Sequence, residues 1–331
     1  MPLYALAMLV LVVAGTACGL LPGHRSSSME GHAPMVLPVA SPGAPIRVRF
    51  AGVSTLLFDD GETAWMTDGF FTRPGKLQTL AGRIGPDRET IRKNLERLNV
   101  RGRLEAVVPV HSHYDHAMDA PIVASLTGAR LIGSASTRNI GRGLGMREER
   151  LQLVVPDQSV SFGKWTLTFI LSRHGPTPID PCKGHDSIDA PLVPPQHFSA
   201  WCAGEIWTIL VAHQSGASML VNASAGFPEH GLAGRHADVV FLGIGMLGKQ
   251  SPAYREQLWN EVVRRVAPKR VIAIHWDDFS HSLDDPLRPM SYPADDVDAT
   301  LSHLAELARQ ENIELKLPPV FMAFDPLPPP K

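Results

Sequence analysis

Short apolar segments alternate with segments of helical periodicity through the middle of the chain. Residues 104–110 (LEAVVPV) are typical of a buried strand, and residues 118–127 predict a helix that ends at Gly128. Further strands are predicted at 130–132, 165–171, 238–242, 270–274 and 313–317, and further helices at 252–266 and 294–310. This alternation predicts a layered α/β domain with mixed sheets.

The ends of this pattern are less regular. Residues 46–58 form one β-rich segment, and the following Asp59-Asp60-Gly61 is a hairpin signal that leads to a return strand at 63–67. Residues 175–203 are rich in proline and predict an irregular insertion. No second linker is evident, so residues 46–331 are assigned to a single domain.

The first 45 residues differ in character from this domain. Residues 3–19 are uncharged and mostly apolar and reach Ala17-Cys18-Gly19, which looks like the cleavage site of a bacterial lipoprotein. We therefore expect residues 1–21 to be a signal peptide or lipoprotein signal, with export to the periplasm or cell envelope and a lipid anchor at Cys18. No Lys or Arg precedes this segment, although signal peptides usually have one. Two alternatives therefore stay open: the start of the sequence is wrongly assigned, or the segment is an uncleaved membrane anchor. Residues 22–45 are rich in Pro, Ser and Gly and predict a tether.

The charge balance and the cysteine content limit the classes of partner and the kind of scaffold that we expect. The 331 residues carry 31 Lys and Arg against 33 Asp and Glu, a net charge of −2, which gives no global reason to bind nucleic acid or an anionic membrane. We expect a small-molecule substrate and membrane contact only through the N-terminal segment; the oligomeric state is left open. The three cysteines are too few for a disulfide scaffold, but an oxidising compartment would permit a bond between Cys182 and Cys202. The alternative is two free thiols.

The segment HSHYDH directly follows the predicted strand at 104–110. In an extended segment alternate side chains face the same way, so His111 and His113 can reach one point in space. Asp115 and His116 lie on the turn that follows and can reach a neighbouring point. Imidazole and carboxylate groups at this spacing suit zinc or another borderline divalent metal. The alternative is a polar loop in which Asp115 only caps a helix.

HSHYDH matches the HxHxDH signature of the metallo-β-lactamase-fold superfamily of metal-dependent hydrolases, and the chain resembles that superfamily over most of residues 46–290. SRHGP at 172–176 and RVIAIHWDDF at 270–279 are similar to the segments that carry its later histidine ligands. The resemblance implies a four-layer αβ/βα sandwich with the metals at one edge of the sheets.

The resemblance also implies the metal ligands. One metal would take His111, His113 and His174, and a second would take Asp115, His116 and His275. Many members carry a bridging Asp where this chain has Ser224, which puts the second metal in doubt, although one subclass of zinc β-lactamases also has Ser there. We expect two zinc ions. Four further residues are candidates for supporting a ligand or lining the pocket: Asp68, Tyr114, Ser224 and Asp277.

The function expected from these residues is a zinc-dependent hydrolase. In it, a metal-bound hydroxide attacks an ester, lactone, amide or phosphodiester bond, and Asp115 acts as the catalytic carboxylate. Three alternatives stay open: a zinc β-lactamase with Ser at the bridging position, a non-catalytic envelope protein that binds a metal or ligand, and a redox protein with an iron pair. The sequence does not identify the substrate.

Overall fold

The computed structural model describes residues 28–100, 102–177, 182 and 187–329, and their strands form two mixed sheets. The first sheet runs in chain order through six strands: β1 (Arg47–Phe50), β2 (Leu56–Asp59), β3 (Ala64–Thr67), β4 (Leu104–Val108), β5 (Arg130–Gly133) and β6 (Leu151–Leu153). Strands β1 to β3 are antiparallel, and β3 to β6 are parallel. The parallel strands therefore end at one common edge.

The second sheet has a similar plan. Its seven strands are β7 (Ser159–Phe162), β8 (Trp165–Ser172), β9 (Ile206–His213), β10 (Ser218–Asn222), β11 (Val239–Gly243), β12 (Arg270–Ile274) and β13 (Glu314–Lys316). Strands β7 to β10 are antiparallel, and β10 to β13 are parallel. The strands predicted at 165–171, 238–242, 270–274 and 313–317 are confirmed with small changes at their ends.

Seven α-helices lie among the described residues: α1 (Lys76–Ala81), α2 (Arg88–Arg97), α3 (Tyr114–Ala117), α4 (Ala120–Thr127), α5 (Ala135–Gly143), α6 (Pro252–Leu258) and α7 (Val297–Gln310). Helix α4 packs on β4, α5 packs on β5 and β6, and α7 packs on β13. A π-helical turn, Trp259–Arg264, continues α6. The predicted helix at 294–310 begins later, because Asp296 caps it by accepting a hydrogen bond from the amide of Ala299.

The core lies mainly between the two sheets. Phe58 of the first sheet stacks on Trp65 at 4.3 Å between ring centroids and meets Phe241 of the second sheet edge-on at 5.4 Å. A separate apolar cluster, to which Val107 and Leu131 belong, lies between the first sheet and helices α2 and α4. Both faces of the first sheet are therefore buried. The predicted four-layer αβ/βα sandwich is confirmed.

Two predicted elements differ in detail from the structure. The hairpin predicted at 59–61 is confirmed as the antiparallel pair β2 and β3, and the β-rich segment before it contains two strands: it breaks at residues 51–55 and folds into the antiparallel pair β1 and β2. Gly52 makes the break possible, because its φ is +86° and a Cβ there would lie 1.8 Å from Nη2 of Arg73. The helix expected at 118–127 begins only at Ala120, and the shorter α3 precedes it; its end at Gly128, with φ of 76°, is as predicted.

The described part of the predicted tether lies against the domain. Residues Glu30–Met35 form a 3₁₀ helix, and the amide of Leu37 donates to the carbonyl of Leu317 at 2.9 Å. His32 Nε2 lies 2.7 Å from Asp298 Oδ1. The folded unit thus extends N-terminal of residue 46. Residues 1–21, with the expected signal segment, lie outside the described residues; within those described, no helix is long and apolar enough to span a bilayer.

The proline-rich insertion at 175–203 is irregular, as predicted. Its described residues include the 3₁₀ turn Phe198–Ala200, and a disulfide joins Cys182 to Cys202 with their Cα atoms 5.5 Å apart. Of the two alternatives left open by the sequence, the structure has the bonded pair. The bond joins two parts of the insertion that lie 20 positions apart in the chain.

A buried ion pair joins the two halves of the sandwich. Arg73 Nη2 lies 2.7 Å from Asp277 Oδ2, and neither side chain is exposed to solvent. The other oxygen of Asp277 accepts a hydrogen bond from the amide of Val53 at 2.7 Å. Removal of either partner alone would leave a buried charge without its counter-charge.

We predict that Asp277→Ala and Arg73→Ala each lower the free energy of unfolding by about 3–5 kcal/mol. The double variant Arg73→Met with Asp277→Leu should lose much less than the sum of the two single losses, since no lone charge stays buried. Lys93→Ala is the control, because its partnership with Asp284 is exposed (59% and 58%) and its loss should have little effect. Urea unfolding followed by circular dichroism measures all four. Single losses no larger than that of the control would contradict the prediction.

Candidate metal centre

The predicted ligands meet where strands of both sheets end. His111 and His113 follow β4, and the next turn, α3, carries Asp115 and His116. His174 comes two residues after β8, and His275 directly follows β12. Ligands from three distant parts of the chain therefore stand on the rigid ends of strands, which suits a preorganised site.

The first cluster contains His111, His113 and His174, whose candidate ligand atoms lie within 4.8 Å of one another. Nε2 of His111 is 3.1 Å from Nδ1 of His113. Nδ1 of His174 lies 2.7 Å from the carbonyl oxygen of Gly175, which leaves its Nε2 for a ligand. These are the three residues that the resemblance assigned to one metal.

The second cluster contains Asp115, His116 and His275, again with ligand atoms within 4.8 Å of one another. Oδ2 of Asp115 is 3.3 Å from Nε2 of His116 and 3.5 Å from Nε2 of His275. The two clusters adjoin, since the ring centroids of His111 and His116 are 3.9 Å apart. The structure brings the six residues together in the expected two sets, and their binding of metal stays a prediction.

Asp68 supports the second cluster from behind. Its Oδ2 lies 2.8 Å from Nδ1 of His116 and accepts a hydrogen bond from Ser54 Oγ at 2.6 Å, while its Oδ1 accepts one from the amide of Val110 at 2.9 Å. With Nδ1 held in this way, Nε2 of His116 faces Asp115 and the site. This is the arrangement by which a carboxylate orients a metal-binding imidazole and raises its basicity.

The other three candidates have different surroundings. Ser224 is buried, and its Oγ accepts a hydrogen bond from the amide of Gly175 at 2.9 Å, so it holds the turn that carries His174. Tyr114 lines the cleft above the site, and burial raises the pKa of its phenol, which therefore stays protonated. Asp277 is fully buried in its ion pair and is not among the described residues that line the cleft.

Three residues at the site adopt the left-handed backbone conformation, which is unfavourable for residues other than glycine. They are Val53, Asp68 and His275, with φ of 50°, 54° and 58°. Such residues cost about 1–3 kcal/mol each and persist only where their surroundings fix them. The carbonyl of Val53 accepts a hydrogen bond from the amide of His275 at 2.6 Å. The strained positions thus fix a candidate ligand and its neighbours.

The two clusters differ in the protonation states of their histidines. Burial and the neighbouring imidazoles hold the pKa of His111 well below its usual range, and burial lowers the pKa of His174. Both are therefore neutral, the form in which histidine binds metals. Burial opposes the charged form of His116, but Asp115 and Asp68 outweigh it and raise the pKa of His116 to about 10. Burial likewise opposes ionisation of Asp115, yet His116 and His275 hold its pKa well below its usual range.

The donor set fits divalent metal ions. Nδ1 of His111 and Nδ1 of His275 are buried and have no hydrogen-bond partner among the described residues. Five imidazoles and one carboxylate face one another without a cationic Lys or Arg among the described residues that line the cleft. Such nitrogen-rich sets are typical of zinc and of other borderline metals.

A cleft of about 220 Å³ opens above the two clusters. The sequence reasoning missed most of its walls: Leu80, Pro176, Phe198, Trp201, Met246 and Met290. These side chains come from loops and short helices far apart in the chain, and none lies in a recognisable motif. Phe70, Phe71 and Trp276, which are close to candidate site residues in the sequence, belong to the core and are not among the described lining residues.

We predict that Asp68→Asn raises the dissociation constant for a divalent metal about 10–100-fold, because the variant loses the carboxylate that orients His116. Asp60→Asn is a matched control: Asp60 is a buried carboxylate 3.3 Å from Nε2 of His213, outside the site. Competition with a chelating dye measures the affinity, and circular dichroism checks that both variants fold. Equal metal affinity of the two variants would contradict the assigned role of Asp68.

The chain is similar in fold to three solved structures of low sequence identity. They are unliganded yeast PDE1 (10% identity, 85% of this chain and 99% of that one, TM-score 0.52), a possible metal-dependent hydrolase from Veillonella parvula (13%, 86% and 100%, 0.51) and the metallo hydrolase Igni18 from Ignicoccus hospitalis (13%, 86% and 96%, 0.50). No protein-family model and no curated protein matches the sequence. The two-sheet sandwich, the HSHYDH segment at its edge and these similarities identify the chain as a protein of the metallo-β-lactamase fold.

Proposed function

We propose that this protein is a metal-dependent hydrolase that uses two zinc ions to cleave an ester, lactone, amide or phosphodiester bond. The observation that carries the proposal is the pair of adjoining clusters, His111, His113 and His174 beside Asp115, His116 and His275, at the floor of a cleft. Support also comes from the fold, which the chain shares with proteins described as metal-dependent or metallo hydrolases.

Bound divalent ions would supply two effects here: a lower pKa for a coordinated water and polarisation of the oxygen on which charge develops. The protein's own residues hold the ligands and orient the water. Asp115 is a carboxylate at neutral pH, because its pKa is held well below its usual range, so it can accept a hydrogen bond from an attacking water and orient it. Asp68 holds His116, and Ser224 holds the turn of His174, so neither ligand needs to reorganise during the reaction.

Zinc is proposed on the chemistry of the donors. Five imidazoles and one carboxylate form a set richer in nitrogen than hard cations such as Mg²⁺ prefer. Ser224 supplies no carboxylate between the clusters, and its Oγ already accepts a hydrogen bond from Gly175. The alternative is a redox protein that holds two iron ions, and measuring the bound metals distinguishes the two.

We predict about two zinc ions per chain, one for each cluster, when the purified protein is analysed for metals after gel filtration. Removal of the metal with a chelator should abolish hydrolysis of a panel of esters, lactones and phosphodiesters, and zinc should restore it. Asp115→Asn should retain about one metal and lose activity roughly a hundredfold or more, because it lacks both a ligand and the carboxylate that orients the attacking water.

Asp60→Asn again serves as the control and should keep both metals and full activity, since Asp60 pairs with His213 away from the clusters. One metal in the unchanged protein would show that the second cluster does not hold zinc and would leave a mononuclear hydrolase. Two bound metals without hydrolysis of any substrate would favour the non-catalytic binding protein, and two iron ions would favour the redox protein.

We further propose that the protein is exported and anchored to the cell envelope through Cys18. The uncharged apolar segment at 3–19 supports this, and so does the disulfide between Cys182 and Cys202, which persists in oxidising compartments.

We predict that the full chain, expressed in a bacterium, fractionates with the envelope. Cys18→Ser removes the residue that would carry the lipid, so this variant should either become soluble or keep its signal segment uncleaved. Ser26→Ala, in the segment that follows, should leave the distribution unchanged. Alkylation before and after reduction measures the state of the cysteines: Cys182 and Cys202 should react only after reduction. Recovery of the full-length chain in the cytoplasm with both thiols free would refute export.

A further inference from the structure

We propose that the substrate carries a neutral, apolar group beside the scissile bond, and that the cleft selects this group by apolar contact rather than by ion pairing. The inference rests on the proposed hydrolase function and names the substrate class for the same site. It favours esters, lactones or amides with an alkyl or aromatic tail over substrates whose tail bears a carboxylate or phosphate.

The walls of the cleft are apolar. Above the metal-ligand clusters they consist mainly of Leu80, Phe198, Trp201, Met246, Phe279 and Met290. Thioether and aromatic side chains of this kind make favourable contacts with alkyl and aryl groups. Among these six side chains the indole N–H of Trp201 is the one hydrogen-bond donor, and it carries no charge. A cleft of about 220 Å³ can hold only a short chain or a single ring beside the reacting group.

The described part of the walls also lacks charge that could pair with an anion. Among the described lining residues the ionisable groups are the metal-ligand candidates and the phenol of Tyr114. Two cations on the segments next to the cleft are already neutralised. Lys76 Nζ lies 2.9 Å from Asp278 Oδ2, and Arg73 is buried in its pair with Asp277. A carboxylate at the far end of a tail would lose its water without gaining a partner.

The apolar walls are held in place before any ligand binds. Trp201 is fully buried, and the adjacent Cys202 is joined to Cys182. The ring of Tyr114 meets Phe70 and Phe279 edge-on, with centroids 6.1 and 6.2 Å apart. A preformed wall loses little conformational entropy when a ligand binds, so apolar contact with the tail should increase the affinity.

The test uses two matched sets of compounds on the zinc-loaded protein. The first set is the 4-nitrophenyl esters of acetate, butyrate and hexanoate, together with the mono-4-nitrophenyl ester of adipate, which has the hexanoate chain length but ends in a carboxylate. The second set is hexanohydroxamate and adipic monohydroxamate, whose binding is measured by calorimetry and needs no turnover. We expect kcat/KM to rise about fourfold per added methylene until the cleft is full. The adipate ester and hydroxamate should lose this gain.

A charge placed in the wall should reverse the preference. Leu80→Lys should weaken hexanohydroxamate and strengthen adipic monohydroxamate, changing the ratio of their affinities by about tenfold or more. Leu77→Lys is the matched control, because Leu77 lies on the same helix α1, is 74% exposed and does not line the cleft. It should leave both affinities and the ester series as they are in the unchanged protein.

The outcomes separate this inference from the function on which it rests. Hydrolysis of the esters with no rise along the series, or with the adipate ester preferred, would overturn the apolar substrate class and leave the hydrolase standing. Tight and selective binding of hexanohydroxamate without hydrolysis of any ester would overturn the hydrolase and keep the apolar ligand class. Failure of both hydroxamates to bind the zinc-loaded protein, together with no hydrolysis of any ester, would overturn both.

Discussion

The buried ion pair between Arg73 and Asp277 is the constraint on which the site depends. Arg73 belongs to the half of the chain that builds the first sheet, and Asp277 follows the ligand strand β12 of the second. Through its second oxygen Asp277 also holds Val53 in a left-handed conformation, and Val53 in turn accepts the amide hydrogen of His275. One desolvated charge pair thus fixes both the seam between the sheets and the backbone of a candidate ligand. Gly52 is required beside it because a side chain there would collide with the guanidinium.

The candidate metal centre joins two different environments. Its floor is polar, with neutral imidazoles at His111 and His174, an ionised Asp115 and a supporting Asp68 behind His116. Its walls are apolar and rest on the core. Apolar walls beside the floor lower the local dielectric and so strengthen electrostatic interactions there, while the described walls themselves are suited to selection by size and hydrophobicity. The proposed division of labour, with bond cleavage at the floor and tail selection at the walls, follows from this contrast.

The sequence predicted features whose signal lies in neighbouring residues or in a recognisable string, and it missed features that depend on residues far away in the chain. His111, His113, Asp115 and His116 lie in six consecutive residues after an apolar strand, so their grouping could be inferred locally. His174 and His275 are distant in sequence, and only similar local strings linked them to the cluster. The break at Gly52 was missed because the guanidinium of Arg73, which leaves no room for a side chain at residue 52, lies 21 positions further along the chain. Leu80 and Phe198 were missed because the cleft wall is formed by separate loops and short helices, whose residues show no periodicity or motif in the sequence.

What the sequence by itself determined about this protein is the alternation of strands and helices, the fold class and the six candidate ligands in two sets. The alternation is encoded in local periodicity, and the fold and the two ligand sets follow from short strings that resemble those of a known superfamily. Only the tertiary structure decided which carboxylate supports His116, that Asp277 is neutralised by Arg73, that Cys182 meets Cys202, and that the cleft is apolar. Each of these is a contact between residues far apart in the chain. Such contacts are set by how the two sheets pack, since packing decides which side chains lose their water together.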